Sequence, residues 1–263
     1  MGTRVIALAN QKGGVGKTTT SVNLAACLAE RGQNVLLIDF DPQANATSGL
    51  GVEKKEGRSL YGLLLGGETA DQFILPTEIP KLDLIPSEVN LAGAEIEIPR
   101  MDRYLHRLRD GLQPLISSNR YDVIFIDCPP SLGVLTMNAL AASHGLIIPL
   151  QSEYYALEGL SVIVRLVQQL RDSGANPNLE IDGIVMTMFD NRTALSRQVW
   201  QQVREHFEKQ IYDTLIPRSV RLSEAPSHGK PIILYDQQSA GAAAYRQLAR
   251  EFLARRNTAM THA

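Results

Sequence analysis

The chain has 263 residues, 44% of them hydrophobic and 21% charged, which suits a water-soluble globule long enough for one large domain. No apolar run approaches the roughly 20 residues that cross a bilayer, and no basic segment with a hydrophobic core and cleavage site opens the chain, so a cytoplasmic protein is expected. A net charge of −2 excludes global attraction to polyanions, yet residues 183–263 hold 11 Lys+Arg against 7 Asp+Glu, so an anionic partner would dock on the C-terminal third.

The apolar run at 5–9 predicts a first strand, and KGGVGKTTT at 12–20 follows it into an alanine-rich helix. A polyphosphate needs backbone N–H groups turned toward it, and Gly13, Gly14 and Gly16 supply a loop without Cβ atoms in the way. A helix starting near Lys17 adds the positive end of its dipole. Lys17 is placed to reach the β- and γ-phosphates and the Thr18 hydroxyl to coordinate Mg²⁺, with Val15 and Thr19 completing the loop. One position departs from the general pattern: Gln11 stands where a first glycine is usual, and a second lysine, Lys12, opens the loop.

Gly32 should cap the first helix in the left-handed region. A buried strand at 35–38 ends in Asp39-Phe40-Asp41, carboxylates at the strand end where an open α/β sheet binds ligands. Pro42 is expected to hold an extended exit, with Asp41 positioning the attacking water or sensing Mg²⁺ and the γ-phosphate, and Asp39 behind it. Residues 43–50, polar and small, predict a mobile loop. Residues 51–100 suggest a packed apolar stretch at 60–65, a glycine turn at 66–67 and a strand at 82–85, but no chemistry. Apolar spacing predicts an amphipathic helix over 102–117, whose arginines read as a solvated face.

Residues 123–126 form a four-residue apolar strand closed by Asp127, the physical content of a Walker B acid that reaches Mg²⁺ directly or through water. Pro129 and Pro130 then begin a loop near the expected γ-phosphate. Cys27 and Cys128 are too few for a disulfide framework or a zinc site and read as small core residues. Further strands are expected at 146–150, 181–188 and 215–217, and helices at 157–170, 194–207 (Leu195, Val199, Val203 and Phe207 inward) and 240–256, with a short flexible tail at 257–263. The alternation predicts a single domain over 1–263, an α/β fold with a doubly wound, mainly parallel sheet and helices on both faces.

Taken together, KGGVGKTTT, DFDPQANATSGLG, DCPPSLG, EYYALEGL, TMFDNRT and IPRSVRLSEAPSHGKPI resemble the ParA/Soj type of partition ATPase along nearly the whole chain, with the deviant Walker A loop of the ParA/MinD group. The resemblance implies ATP and Mg²⁺ held between two subunits of a sandwich dimer, residues 12–19 on the triphosphate, Lys12 reaching the nucleotide of the partner subunit, Thr18 and Asp127 on the metal, and Asp41 supporting hydrolysis. It places Pro217 and Ser219 against the adenine; serine stands at 219 where many relatives have asparagine, so a backbone contact is the expectation there. It makes Arg192 and Arg221 non-specific contacts to double-stranded DNA, and it implies a ParB/Spo0J-type centromere-binding protein as the stimulating partner. No helix-turn-helix precedes the first strand, so site-specific operator binding is not expected. The alternative is a MinD-like membrane-associated or other cargo-positioning ATPase; the 257–263 stretch carries no bulky apolar stripe, which argues against a membrane partner. A metabolic ATP-dependent ligase or a nitrogenase-type reductase on the same fold lacks, respectively, a recognisable substrate pocket and suitably placed cysteines.

Overall fold

The structure, a computed structural model, describes residues 2–261. Continuous apolar runs form the central strands because both faces of the sheet are covered. The strands are β1 (Arg4–Leu8), β2 (Val35–Asp39), β3 (Leu75–Pro76), β4 (Leu82–Ile85), β5 (Val123–Asp127), β6 (Gly145–Gln151) and β7 (Glu180–Thr187), in the order β3-β4-β2-β5-β1-β6-β7. All neighbours are parallel except the two-residue edge strand β3, which runs antiparallel to β4. The helices are α1 (Lys17–Glu30), α2 (Asn45–Gly49), α3 (Tyr61–Leu65), α4 (Ala94–Glu97), α5 (Arg107–Ser117), α6 (Val134–Ala142), α7 (Ala156–Asp172), α8 (Ala194–His206), α9 (Val220–Glu224), α10 (Ile232–Tyr235) and α11 (Ala240–Thr261).

Strand alternation divides the interior into two cores. Val5 and Ala7 of β1, Leu36 and Ile38 of β2, and Ile124 and Ile126 of β5 point to one side, against α5, α6, α7 and α8. Ile6, Leu8, Val35, Leu37, Val123 and Phe125 point to the other, against α1, α10 and α11. Phe125 meets Phe252 of α11 with ring centroids 5.9 Å apart, a tilted pair of the kind that adds roughly 0.5–1.5 kcal/mol to simple burial.

This topology places the site. β1 lies between β5 and β6; the chain leaves β1 through α1 toward β2 and leaves β5 through α6 toward β6, so the connections diverge at the carboxyl end of β1, the switch point where such sheets bind ligands. Register aligns Leu8 with Asp127 and Asp39 with Asp127 there.

Several expectations change. Within residues 43–50, expected as a mobile loop, Asn45–Gly49 form a helical turn, α2, because Asp39 accepts hydrogen bonds from both the backbone N–H and the hydroxyl of Thr47 at 2.7 Å. The chain after Pro42 turns at once, Ala44 N donating to Asp41 O at 2.8 Å, so its exit is a tight turn rather than extended. α5 starts only at Arg107. β7 lies one residue earlier than expected, and Leu195 of α8 is 44% exposed where an inward position was expected. Residues 215–217 make no strand; Phe189 and Pro217 form an isolated parallel bridge. The last helix runs on to Thr261 instead of ending at 256, so most of the expected tail is helical and residues 262 and 263 lie outside the described residues. Gly32 does take a left-handed conformation, φ 88°.

His144, an exposed residue just before β6, is tied to β1. His144 Nδ1 accepts the Val5 N–H at 2.9 Å, which requires the neutral ring. Partial desolvation, with Arg4 and Arg109 adding to it, holds the imidazole below its ordinary range, and Asp182 opposes this only in part. Below the ordinary histidine range the unfolded chain therefore takes up a proton that the folded chain refuses, and stability is lost as pH falls. Buried Asp39 and Asp127 push the other way, so the diagnostic is a difference. The stability advantage of the wild type over His144→Gln in denaturant titrations should shrink between about pH 7.5 and about pH 5.5; a constant advantage would contradict the assignment.

Candidate nucleotide site

The loop between β1 and α1 has its backbone set by two glycines, Gly14 at φ 74° and Gly16 at φ 85°, where a side chain would strain it. Gly13 needs no special dihedral, and a Cβ there would sit 3.9 Å from the Pro130 ring. Helix α1 begins without a side-chain cap or an acidic residue in its first turn, which leaves its N–H groups directed into the loop for an anion. The cavity in front of it, about 510 Å³, is lined by Gly13, Gly14, Gly16, Lys17, Thr18 and Thr19 from this loop, with Asp41 and Pro130 opposite.

Lys17 is buried, its ammonium donating to Lys12 O at 3.0 Å, so the side chain folds back across the loop. Burial lowers its pKa, and Asp127, Cys128 and Asp41 counteract that. Asp127 is fully buried; its Oδ1 accepts from Ser21 at 2.7 Å, while Oδ2 has no hydrogen-bond partner. Burial, reinforced by Asp39, pushes this carboxyl up to about 7. A buried carboxylate oxygen without a donor, behind a threonine hydroxyl at the loop, fits a hard cation. Among the described residues no cluster of three His, Cys, Asp or Glu could hold a metal, so such a cation would complete its coordination with substrate oxygens and water, as Mg²⁺ prefers.

Asp39 is also fully buried, raised to about 6 by burial, and its oxygens are occupied by Thr47 and the Asp41 N–H. It anchors α2 and sets the turn that presents Asp41. Asp41 Oδ1 accepts the Gln43 N–H at 2.9 Å, and the residue lines the cavity.

A second cavity of about 230 Å³ shares Gly16, Thr19, Met188 and Pro226 with the first and is walled by Pro217, Arg218 and Ser219. The two cavities are continuous through these shared residues. Pro217 and Ser219, expected from the sequence, line this second cavity, as do Thr187 and Met188 of TMFDNRT, which the sequence did not single out. Thr187 donates to Val15 O at 2.7 Å and braces the loop from β7; Met188 sits at φ 49° between the cavities.

Three expected residues lie outside this constellation. Lys12 points to the rim, half-exposed, in an ion pair with Glu153. Arg192, on a loop, holds Asp190 through two nitrogens at 2.9 and 2.7 Å, drawing that carboxyl down to about 2. Arg221, on α9, pairs with Glu224 at 3.1 Å and Asp236 at 3.5 Å. Both arginines are exposed, and both belong to segments joined to the second cavity: Phe189 N donates to Ile216 O at 2.9 Å and Arg218 N to Phe189 O at 3.3 Å.

A glycine loop capping an uncapped helix, a lysine folded into it, and a buried acid at the neighbouring strand end define a phosphate-loop nucleotide-binding protein, with the second lysine of the deviant Walker A group. A family model described as an AAA domain matches residues 3–181. The chain is 54% identical over 256 residues to the sporulation initiation inhibitor protein Soj of Bacillus subtilis, covering 95% of this chain and 98% of that one. It is 50% identical over 253 residues to the chromosome partitioning protein ParA of Caulobacter vibrioides, covering 96% and 94%. Among solved structures it is similar to a cobyrinic acid a,c-diamide synthase from Mycobacterium smegmatis with bound ATP analogue and magnesium, at TM-score 0.81 and 37% identity, covering 94% of this chain and 93% of that one. The chain belongs to the ParA/Soj family of chromosome-partitioning ATPases.

Proposed function

We propose that the protein is a DNA-partitioning ATPase whose ATP-bound dimer holds DNA and lets go after hydrolysis. The N–H groups of residues 13–19 and Lys17 would bind the triphosphate of ATP, the Thr18 hydroxyl and the free oxygen of Asp127 would hold Mg²⁺, and Pro217 with the Ser219 backbone would close on the adenine. Mg²⁺, where bound, neutralises phosphate charge in the transition state. Asp41 orients the water that attacks the terminal phosphate. In an isologous dimer each Lys12, leaving Glu153, reaches the partner's phosphates.

The observation that carries this reading is the division of labour between the lysines: Lys17 is buried over its own loop, while Lys12 stands half-exposed at the rim. Arg192 and Arg221 supply the DNA surface. Each is neutralised within the protomer, so a phosphate must displace a carboxylate, and contacts from one protomer are too few to hold a duplex. Their proximity in the chain to the base pocket gives nucleotide a route to set their placement. A ParB/Spo0J-type protein at a centromere-like site would stimulate hydrolysis, and DNA binding would make a cytoplasmic protein nucleoid-associated. No helix among the described residues is long and apolar enough to cross a membrane, and no membrane partner is proposed. An amide-forming synthase reading, prompted by the solved structure, is less supported than partition, to whose proteins the chain is more alike over nearly full length.

DNA binding with ATP, with ADP and without nucleotide tests the proposal. Four arginine contacts per dimer predict a slope of log K against log salt of roughly −3 to −4 with ATP, and loss of most of it in Arg192→Ala/Arg221→Ala. Equal binding by the double variant would overturn the assignment of the surface.

A further inference from the structure

Helix α6 begins at Val134 immediately after the loop that follows Asp127, and its N-cap, Gly133, has no side chain to satisfy the first N–H groups. Those groups are met from outside. Glu95 of α4 accepts the Val134 N–H through Oε2 at 2.8 Å and the Leu135 N–H through Oε1 at 3.3 Å. Among the described residues Glu95 makes no other hydrogen bond and no ion pair, so both carboxylate oxygens are committed to this helix end. The loop it terminates carries Pro130 over Gly13 and into the nucleotide cavity, and Thr136 fastens its other side by donating to Ser131 O at 2.6 Å.

We infer that Glu95 is a positioning residue for ATP hydrolysis: from a segment otherwise remote from the nucleotide, its carboxylate caps α6 and thereby fixes residues 128–133 against the phosphate loop. The inference rests on the reading that this loop faces the terminal phosphate. Gly133 leaves room for the same contact. Its φ of −77° is open to any residue, yet an added Cβ would lie 2.5 Å from Glu95 Oε2. What that Cβ displaces is the far end of the glutamate, so glycine at 133 is required by the cap and not by the backbone.

The test uses the full chain. Glu95→Ala should lower kcat by roughly tenfold, the equilibrium factor of a lost helix cap, while affinity for a fluorescent ATP analogue stays within about twofold. Amide hydrogen exchange over residues 128–137 should accelerate. Glu95→Gln, which keeps an acceptor, should recover part of kcat. Gly133→Ala should reproduce the loss, and the Glu95→Ala/Gly133→Ala double variant should fall no further than either alone, because both remove one interaction. Unchanged kcat in Glu95→Ala, additive losses in the double variant, or kcat, nucleotide affinity and melting temperature falling together would overturn the inference. A wild type without turnover would instead sink the reading of the site, and the exchange rates would still decide whether Glu95 holds the loop.

Discussion

Lys17→Ala is expected to lose ATP turnover by at least about a hundredfold in kcat/KM, the scale of removing one preorganised donor from developing charge. Lys17 is buried against its own loop and faces Asp127 and Asp41, so its charge sits inside the site where it is least screened. Its removal should abolish nucleotide binding, and with it DNA binding, because the charge that offsets a triphosphate in a desolvated site is gone. The fold should survive, since the two cores are built without Lys17. Steady-state turnover, isothermal titration with ATP and a melting curve separate these effects; full turnover in the variant would contradict the site.

Asp41→Ala is expected to separate binding from hydrolysis. Turnover should fall by roughly a hundredfold or more, the range for loss of a group that handles the attacking water, with ATP affinity retained. DNA binding should then persist after ATP addition where the wild type releases. Because Asp41 also accepts the Gln43 N–H, a structural loss must be told apart from a chemical one. Asp41→Asn keeps that acceptor and removes the charge. If Asn restores turnover, Asp41 serves the turn; if Asn is as inactive as Ala, the carboxylate acts on the water.

The phosphate loop, the strand acids and the doubly wound sheet were legible because each is local: a glycine run, or four apolar residues closed by a carboxylate. Pro217 and Ser219 came from motif resemblance, and the structure does bring them to a cavity shared with Thr19. What escaped depends on partners far apart in the chain. Helix α2 has no apolar periodicity; it forms because Asp39 anchors Thr47, and small residues such as Ala46 fit beneath it. Thr187 acts on Val15, 172 residues away, and Glu95 on Val134, 39 residues away. Neither pairing leaves a local pattern. The exposure of Leu195 reflects the same limit, since helical spacing gives a face but not what covers it. The pairing of Arg192 with Asp190 was visible only as two nearby charges, and the structure closes it into an ion pair at 2.7 Å.

The central claim is that ATP joins two copies of this chain and that only the joined form holds DNA. Light scattering on Asp41→Ala saturated with ATP and magnesium, with and without a short duplex, tests it most directly. The account predicts twice the protomer mass with ATP, a single protomer mass with ADP, and duplex bound only to the former. A single protomer mass under saturating ATP, or duplex bound equally well with ADP, would contradict it.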